Sequence, residues 1–390
     1  MIDTTEISAH RISADSETVL QELGLLADLA GTWTGHGFNL IARPDFHDKA
    51  NLYLQLNQTH ETTKITPIGS PVPNRGFGQE DIELFGLTYL QEISDQSTGS
   101  ALHIEPGAWV TQPATTYPPE QTAAGEQLIF RQGSIPHGSS LLAAGTAKRF
   151  TGPPTLQSGS VQYAFSLFPS FNSTPFGVAQ PLVLNAAGSS EAKTAAELGL
   201  APFSEYDLSV PSGPGNPRTP FRTIPPDPAL PKAIDGVAMQ DVVNDPIKLL
   251  QAQIAQQVAD GHTFEGTALN IATQAKITFL RNANEPKGPT VDVSVTGGAG
   301  NLGNILFLEG GEPTGSQGPN ALSALVYATF WIEKVTPRNG RPFMQLQYAQ
   351  MTVLEFPVFT LLHSAAGGTG TLVNLGWPHI SVATLRKAFS

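Results

Sequence analysis

Cysteine is absent from the 390-residue chain. This absence excludes disulfide bonds, thiolate nucleophiles, zinc–thiolate sites, iron–sulfur clusters and covalent haem attachment through a C-x-x-C-H motif. Long apolar runs are missing too, because no stretch approaches the ~18 residues that a membrane-spanning helix needs. The first 15 residues are polar and acidic, so we expect neither a secretory signal nor a membrane span.

Charged residues are scarce, at 14% of the chain against roughly 25% in soluble domains. The 21 Lys and Arg are outnumbered by 33 Asp and Glu, which gives a formal net charge of −12. Binding to nucleic acid needs clustered basic residues that neutralise phosphates, so we expect no nucleic-acid partner. Together these absences favour a soluble, cytoplasmic protein, and its oligomeric state stays open.

Alternating apolar and polar residues fill two parts of the chain, about 31–150 and 263–387. The alternating runs are rich in aromatic and branched side chains and are separated by Gly, Pro, Asn and Ser, which is typical of antiparallel strands joined by turns. A sheet of this length would expose its edges unless it closed. The sequence therefore predicts a mainly β fold, an antiparallel β-barrel of about ten strands.

An amphipathic helix is predicted over residues 16–30, before the first strand. Asp15 or Ser16 is placed to cap its start, and Gly31 to end it. Its apolar positions follow the spacing of a helix with one buried face: Val19, Leu20, Leu23, Leu26 and Leu29.

Residues about 151–262 interrupt the strand pattern. The segment 201–232 holds nine prolines, which suits a stiff surface connection and not a core strand. One helix follows it, with Asp245 as N-cap and Gly261 just past its end. We interpret the region as a large Pro/Gly-rich insertion on one elaborated barrel domain of residues 1–390, with a separate domain as the alternative. The apolar face of this helix is Ile247, Leu250, Ile254 and Val258.

A glycine-rich stretch, GAGNLG at residues 298–303, matches the G-x-G-x-x-G pattern of dinucleotide sites. Such a site needs a helix to begin at the third glycine, so that the helix N-terminus holds pyrophosphate. A strand-like sequence, NILFLEGG, follows instead. We therefore interpret the stretch as a hairpin turn.

The start of the first strand, LADLAGTWTGHGFNL, combines a preceding helix with a G-x-W motif that contains Trp33. This combination resembles the signature of the calycin superfamily, which includes lipocalins and fatty-acid-binding proteins. In that pattern the Trp plugs one end of the barrel and an Arg on the last strand packs across its ring, which cation–π attraction favours. Arg386 stands at the matching place in this chain.

Three stretches look most like the nitrobindin-like haem-binding barrels of that superfamily: GTWTGHGFNL, LHIEPGAWV and WPHISVATLRK. The resemblance covers about residues 31–145 and 321–387, and the long middle has no counterpart in that family. There a His on the terminal strand ligates the iron of non-covalent haem b, and the matching position here is His379. The resemblance thus implies haem b on His379, with nitrogen-oxide or peroxide chemistry at the iron.

The pattern of the last strand also indicates a pocket. Alternation places His379, Ser381 and Ala383 on one face. Small residues beside an imidazole leave a hollow, and imidazole is a good ligand for iron. A His379 bonded to a backbone carbonyl near the barrel end is the alternative interpretation.

Further candidates for the pocket lining come from the other strands and from one turn near the rim. Amides at alternate positions of a long strand suit either solvent or a wet cavity. His103 and Glu105 also share a face, either as an acid/base pair or as a polar stripe toward solvent, and we favour the stripe. The candidate lining residues are Phe38, Tyr89, Trp109, His137, Gln345 and Gln347.

The leading interpretation is therefore a barrel that binds a hydrophobic small molecule, with haem b as the ligand that the resemblance implies. Two alternatives stay open. One is a cofactor-free, lipocalin-like cyclase or isomerase that holds a hydrophobic substrate in a reactive conformation, and the other is a plain carrier protein. The sequence leaves open whether the protein is an enzyme.

Overall fold

The computed structural model describes the chain in segments. These are residues 16–45, 50–74, 80–113, 123–135, 139–156, 183–185, 192–194, 231–273, 275–280, 290–295, 325–359 and 372–388. Two of the sequence motifs, His137 and the GAGNLG stretch at 298–303, lie outside the described residues.

The described residues form a mainly β structure with a few helices. The strands are β1 Gly31–Asp45, β2 Ala50–Pro67, β3 Val72–Asn74, β4 Ile82–Asp95, β5 Ala101–Thr111, β6 Glu126–Ile135, β7 Ser139–Thr151, β8 Val183–Asn185, β9 Ala192–Thr194, β10 Ala233–Ile234, β11 Val237–Ala238, β12 Thr263–Ala272, β13 Ala275–Leu280, β14 Thr290–Val295, β15 Leu325–Thr336, β16 Phe343–Phe359 and β17 Leu372–Lys387. The helices are α1 Ser16–Leu23, a 3₁₀ helix at Gly24–Leu29, α2 Met239–Asn244 and α3 Lys248–Ala259.

Ten of the strands close into an antiparallel barrel, in the order β1-β17-β16-β15-β12-β7-β6-β5-β4-β2. The first and last strands pair with each other, from Trp33 opposite Lys387 to Ile41 opposite His379. Strand β2 pairs directly with β4, past the short β3. Closure leaves the barrel without a free edge. The prediction of a mainly β, antiparallel barrel of about ten strands is confirmed.

Side chains alternate between the interior and the outer surface along each barrel strand. Among the side chains that the structure describes, and away from the register shift between Ile93 and Ser94, odd-numbered residues of the barrel strands face inward, except on β15 and β16, where even-numbered residues do so. The interior-facing hydrophobic cluster identifies this face; it includes Trp33, Leu87, Trp109, Leu269, Phe330, Leu346 and Leu385.

The N-terminal segment plugs the end of the barrel at which β1 begins. It contains the predicted helix, but α1 ends at Leu23 and a 3₁₀ turn follows. Gly24 has a φ of +53°, a conformation that favours glycine and ends the α-helix. The indole nitrogen of Trp33 donates to the Leu29 carbonyl at 2.7 Å. Trp33 thus joins the plug to the first strand.

The cation on the Trp33 ring is not Arg386, so this prediction is wrong. Lys387 lies opposite Trp33 on β17, and its Nζ lies 5.3 Å from the centre of the Trp33 ring. Arg386 is one residue earlier and therefore points outward. Its guanidinium packs on Phe343 instead, at 4.1 Å from the ring centre.

The described part of the insertion holds two helices where one was predicted. Helix α3 begins at Lys248, three residues after the predicted cap Asp245, and Gly261 follows its end with a φ of +77°. Val258, assigned to the apolar face, is 44% exposed. The buried positions of α3 are instead Leu249, Leu250, Ile254 and Gln257.

Helix α3 packs on the outer surface of the barrel. It contacts β17, and the Gln257 amide donates to Gln345 of β16 at 2.9 Å. The division of the chain into one domain or two stays a prediction. Three two-stranded hairpins lie outside the main sheet: β8–β9, β10–β11 and β13–β14. Among the described residues, no helix has both the length and the apolar character that a membrane crossing requires.

Substitutions of two leucines of α1 test how the plug packs. The sequence pattern places both leucines on one apolar face, but the structure buries only one of them. Leu23 is fully buried, whereas Leu20 is 49% exposed. We expect Leu23→Ala to lower the free energy of unfolding by about 2–5 kcal/mol, because it leaves a cavity under the plug. The control Leu20→Ala should cost about 0.5 kcal/mol or less. Equal losses for the two variants in urea unfolding would contradict this packing.

Candidate functional site

Tyr89, Trp109 and His379, three of the residues predicted to line a pocket, face the barrel interior. Tyr89 and Trp109 belong to the interior cluster. His379 and Ser381 lie on the inward face of β17 and are both partly exposed. The predicted common face of the last strand is therefore the interior one.

Phe38, Gln345 and Gln347 face outward, so the prediction that they line the interior is wrong. Gln345 and Gln347 flank Leu346, which belongs to the interior cluster, and alternation sends them the other way. They are buried all the same, because α3 covers Gln345 and the Gln347 amide donates to Thr384 at 2.9 Å. Residues that are buried on the outer surface under an insertion show the same alternation in sequence as residues that line the interior, so the sequence does not distinguish the two.

Arg131 of β6 and Glu105 of β5 form an ion pair inside the barrel. Arg131 Nη2 lies 2.9 Å from Glu105 Oε1, and both side chains are almost completely buried. The Tyr89 hydroxyl also donates to Glu105 Oε1, and His103 Nε2 lies 3.3 Å from Oε2. The favoured interpretation of His103 and Glu105 as a solvent-facing stripe is wrong, because both point into the barrel.

Most of the remaining N–H donors of the Arg131 guanidinium are also engaged. Its Nε donates to the Tyr89 hydroxyl at 3.1 Å and its Nη1 to Gln350 Oε1 at 2.7 Å. The rings of Tyr89, Trp109 and Phe330 flank the guanidinium, with centres 5.1, 5.4 and 5.1 Å away. A desolvated cation over an aromatic face gains about 2 kcal/mol, so three rings offset part of the cost of burial.

The charges of this pair stabilise each other. Burial by itself would raise the pKa of Glu105, but the Arg131 charge and the bonds from His103 and Tyr89 lower it to about 2. Burial likewise opposes the charge of Arg131, and Glu105 nevertheless raises the pKa of the guanidinium above its ordinary value. The pair therefore stays ionised inside the barrel.

Glu61 of β2 is a second carboxyl buried in the interior, close to the ion pair. Tyr348 donates to its Oε2 at 2.6 Å, while Gln91 and Thr63 donate to its Oε1 at 2.8 and 2.9 Å. Burial raises the pKa of Glu61, and these hydrogen bonds offset only part of the rise. Since Gln91 also contacts Arg131 through its Oε1, one polar network spans the interior.

Polar side chains continue from this network toward the open end of the barrel, opposite the plug. Asn57 donates to Asp95 Oδ2 at 2.7 Å, and the other oxygen of Asp95 accepts from Ser97 and Thr98 in the β4–β5 turn. Burial opposes the charge of Asp95, but these hydrogen bonds lower its pKa. The interior thus changes from apolar at the plug to polar at the open end.

Part of the interior above the ion pair is accessible to solvent. The inward-facing side chains that are partly exposed there include His103, Gln350, His379 and Ser381. The inward-facing residues of β7, β12 and β15 form an apolar wall instead, from Leu141, Ala143, Ile271, Val326 and Ala328. This half of the barrel therefore has a polar side and an apolar side.

Two glycines make the ion pair possible at its level of the barrel. A Cβ on Gly133 would lie 2.5 Å from Glu105 Oε1 and 2.7 Å from the Tyr89 hydroxyl. A Cβ on Gly107 would overlap the Tyr89 ring. Glycine is therefore required at both positions for side chains to cross the interior there.

Comparisons of the chain with family models, with curated proteins and with solved structures found no match. The site must therefore be interpreted from its own geometry. In the segments that the structure describes, no three His, Cys, Asp or Glu side chains are grouped as a metal site would need. The described interior contains hydrogen-bonding groups around the ion pair of Arg131 and Glu105. Two imidazoles, His103 and His379, lie near the open end.

Sequence reasoning missed Arg131, Glu61 and Gln350. The alternation of the run LIFRQG was a usable signal, because Arg131 shares a face with Ile129 and Gly133 and so points inward with them. Gln350 lies on the same strand as the misassigned amides but at an even position.

The outer surface also carries a buried carboxyl, under α3. Gln345 Nε2 donates to Glu333 Oε2 at 2.5 Å and lies 3.3 Å from Gln257 Oε1. No described group bonds Glu333 Oε1. Burial raises the pKa of Glu333 from 4.5 to about 8. The folded protein therefore holds this proton through neutral pH.

We expect Glu333 to make stability fall as the pH rises from about 4.5 to about 8, since only the unfolded chain releases the proton in that window. Glu333→Gln keeps a neutral side chain of the same shape. The free energy of unfolding of the variant minus that of wild type should therefore be at least about 1 kcal/mol larger at pH 8 than at pH 5. Urea unfolding at both pH values measures this gain.

Glu265→Gln, at an exposed position that pairs with Lys334, is the control for the loss of one carboxylate. It should leave the difference from wild type nearly independent of pH. If the stability difference between Glu333→Gln and wild type were equally independent of pH, Glu333 would ionise normally under α3.

Proposed function

We propose that the protein binds a small amphiphilic molecule in the open half of the barrel. The observation that carries this proposal is the partial exposure of inward-facing His103, Gln350, Ser381 and His379 above a closed polar floor. Interior side chains that water reaches are the side chains that a ligand can contact. The closed antiparallel barrel is compatible with this function, since barrels near this size hold one small ligand.

The distribution of polar and apolar side chains in the open half indicates that such a ligand has an apolar part and a polar group. On the side of β7, β12 and β15 the interior is apolar but closed to solvent, since Leu141 and Val326 are 2% and 0% exposed. The apolar part of the ligand would lie toward this side and would have to part this packing to contact it. Its polar group would face Gln350 and Ser381, where the amide and hydroxyl supply both donors and acceptors. A few convergent polar groups in a largely apolar site are typical of small-molecule pockets.

The prediction is that filling the interior at Ser381 abolishes binding. Nile red, an uncharged dye with solvent-dependent fluorescence, should bind to the wild-type protein with a saturable blue shift. Ser381→Trp places an indole above the Arg131 floor, so we expect at least about a tenfold loss of dye affinity, because bulk there competes with the ligand.

Ser94→Trp is the matched control. Ser94 lies opposite His60 on the outer surface of β4, so an indole there should leave the affinity unchanged. If both variants bind the dye as wild type does, the dye is outside the barrel and the proposal fails.

Haem b on His379 is a second candidate, favoured by the inward placement of this imidazole beside the small residues Ser381 and Ala383. His379 would hold the iron, and the bound group would supply chemistry on small oxidants or nitrogen oxides at the open coordination position. The apolar wall across the interior suits one face of a porphyrin. The amides and hydroxyls beside His379 suit it less, so we place this candidate second.

Haemin titration separates the two candidates. If His379 ligates haem, wild-type protein develops a saturable Soret band that His379→Ala abolishes, while His60→Ala on the exposed outer surface of β2 retains it. A wild-type protein that takes up no haemin, or a band that survives in His379→Ala, removes this candidate and leaves the first.

A further inference from the structure

We infer that the site selects uncharged ligands and rejects carboxylates, because Glu105 already occupies the anion-binding face of Arg131. This inference rests on the proposed function and names the class of ligand. A lone guanidinium inside a barrel would recognise an anion through paired N–H donors. Here that recognition is satisfied within the chain, since Arg131 Nη2 lies 2.9 Å from Glu105 Oε1.

The guanidinium has little capacity left for a ligand. Its Nε and Nη1 donate to Tyr89 and Gln350, and Nη2 also lies 3.5 Å from Gln91 Oε1. Three aromatic rings flank it. An anionic ligand would have to displace Glu105, which would then be buried without its cation. Leaving one charge of a buried pair uncompensated is strongly unfavourable.

The other charged groups of the open half do not favour an anion either. Asp95 keeps a negative charge near the mouth, held by the hydrogen bonds from Asn57 and the β4–β5 turn. Among the inward-facing side chains that the structure describes from the ion pair to the open end, Arg131 is the only Lys or Arg, and Arg43 of β1 lies outside those side chains. A carboxylate that enters among the described side chains would thus lose its hydration without gaining a free cation.

Gln350 and Ser381 show what the site recognises instead. The Gln350 carbonyl oxygen is bound by Arg131, which fixes the orientation of the side chain. Its Nε2 lies 3.3 Å from the Thr352 hydroxyl, and amide nitrogen has a second N–H to donate. A ligand amide or alcohol can accept from this donor and bond the Ser381 hydroxyl without introducing charge.

The test compares decanamide, decanol and decanoate, three probes with one chain length. Titration calorimetry at pH 7.5 should show wild-type protein binding the amide or the alcohol at least about tenfold more tightly than the carboxylate. Lowering the pH from 7.5 to 6.5 should raise the apparent affinity for decanoate about tenfold, because only its protonated form enters. Because imidazoles can gain charge in the same pH range, the rise should persist in a variant that combines His103→Gln with His379→Gln.

Glu105→Gln should reverse the selectivity, because a ligand carboxylate can then take the place of Glu105 beside Arg131. Decanoate should bind to this variant at least about tenfold more tightly than to wild type and should raise its melting temperature. In Glu105→Gln combined with Arg131→Gln the gain should vanish. Glu333→Gln removes a buried carboxyl under α3 and should leave the selectivity unchanged.

The outcomes separate the two levels of the proposal. If wild type binds decanoate as tightly as decanamide, or if decanoate affinity does not change with pH, the selectivity is wrong while ligand binding stands. If none of the three probes binds and Nile red does not bind either, the proposed function itself fails. A Glu105→Gln variant that folds and gains no carboxylate affinity would also overturn the selectivity.

Discussion

A guanidinium can remain inside this barrel only because a carboxylate and three aromatic rings surround it. The ion pair of Arg131 and Glu105 removes two charges from water, and such burial is unfavourable unless every donor and acceptor is satisfied. Tyr89, Gln350 and His103 supply most of the partners that this condition requires. Glycines at 107 and 133 provide the room for these contacts. The polarity of the interior is organised around this pair.

The pair also divides the barrel along its axis. Below it lie the plug of α1 and the 3₁₀ helix, with Trp33 bonded to Leu29, and the packing there is apolar and closed. Above it one side of the interior carries amides, hydroxyls and imidazoles that solvent partly reaches, and the other side is the apolar wall of β7, β12 and β15. One end of the barrel is thus closed by packing, and the other is the end at which we propose that a ligand binds. Helix α3, in the described part of the insertion, does not enter this division, because it packs outside on β16 and β17.

Much of this architecture could be predicted from the sequence, because period-two alternation and turn residues report strands directly. Alternation predicts which residues share a face, as for His379 and Ser381, but it does not predict which of the two faces points into the barrel. Phe38 and Gln345 were misassigned for that reason, since packing outside the barrel buries them too. Arg131 was missed because a lone cation in a strand is usually a surface residue, and its partner Glu105 comes from another strand.

The most direct test of the account is a double-mutant cycle on the ion pair, with Arg131→Met, Glu105→Met and the combined variant followed by urea unfolding. Each single change leaves a buried charge alone, so each should cost about 3–5 kcal/mol of unfolding free energy. The combined variant should be more stable than the sum of the single losses implies, by about 2–3 kcal/mol. Losses that add to within about 0.5 kcal/mol would contradict the claim that this pair organises the interior.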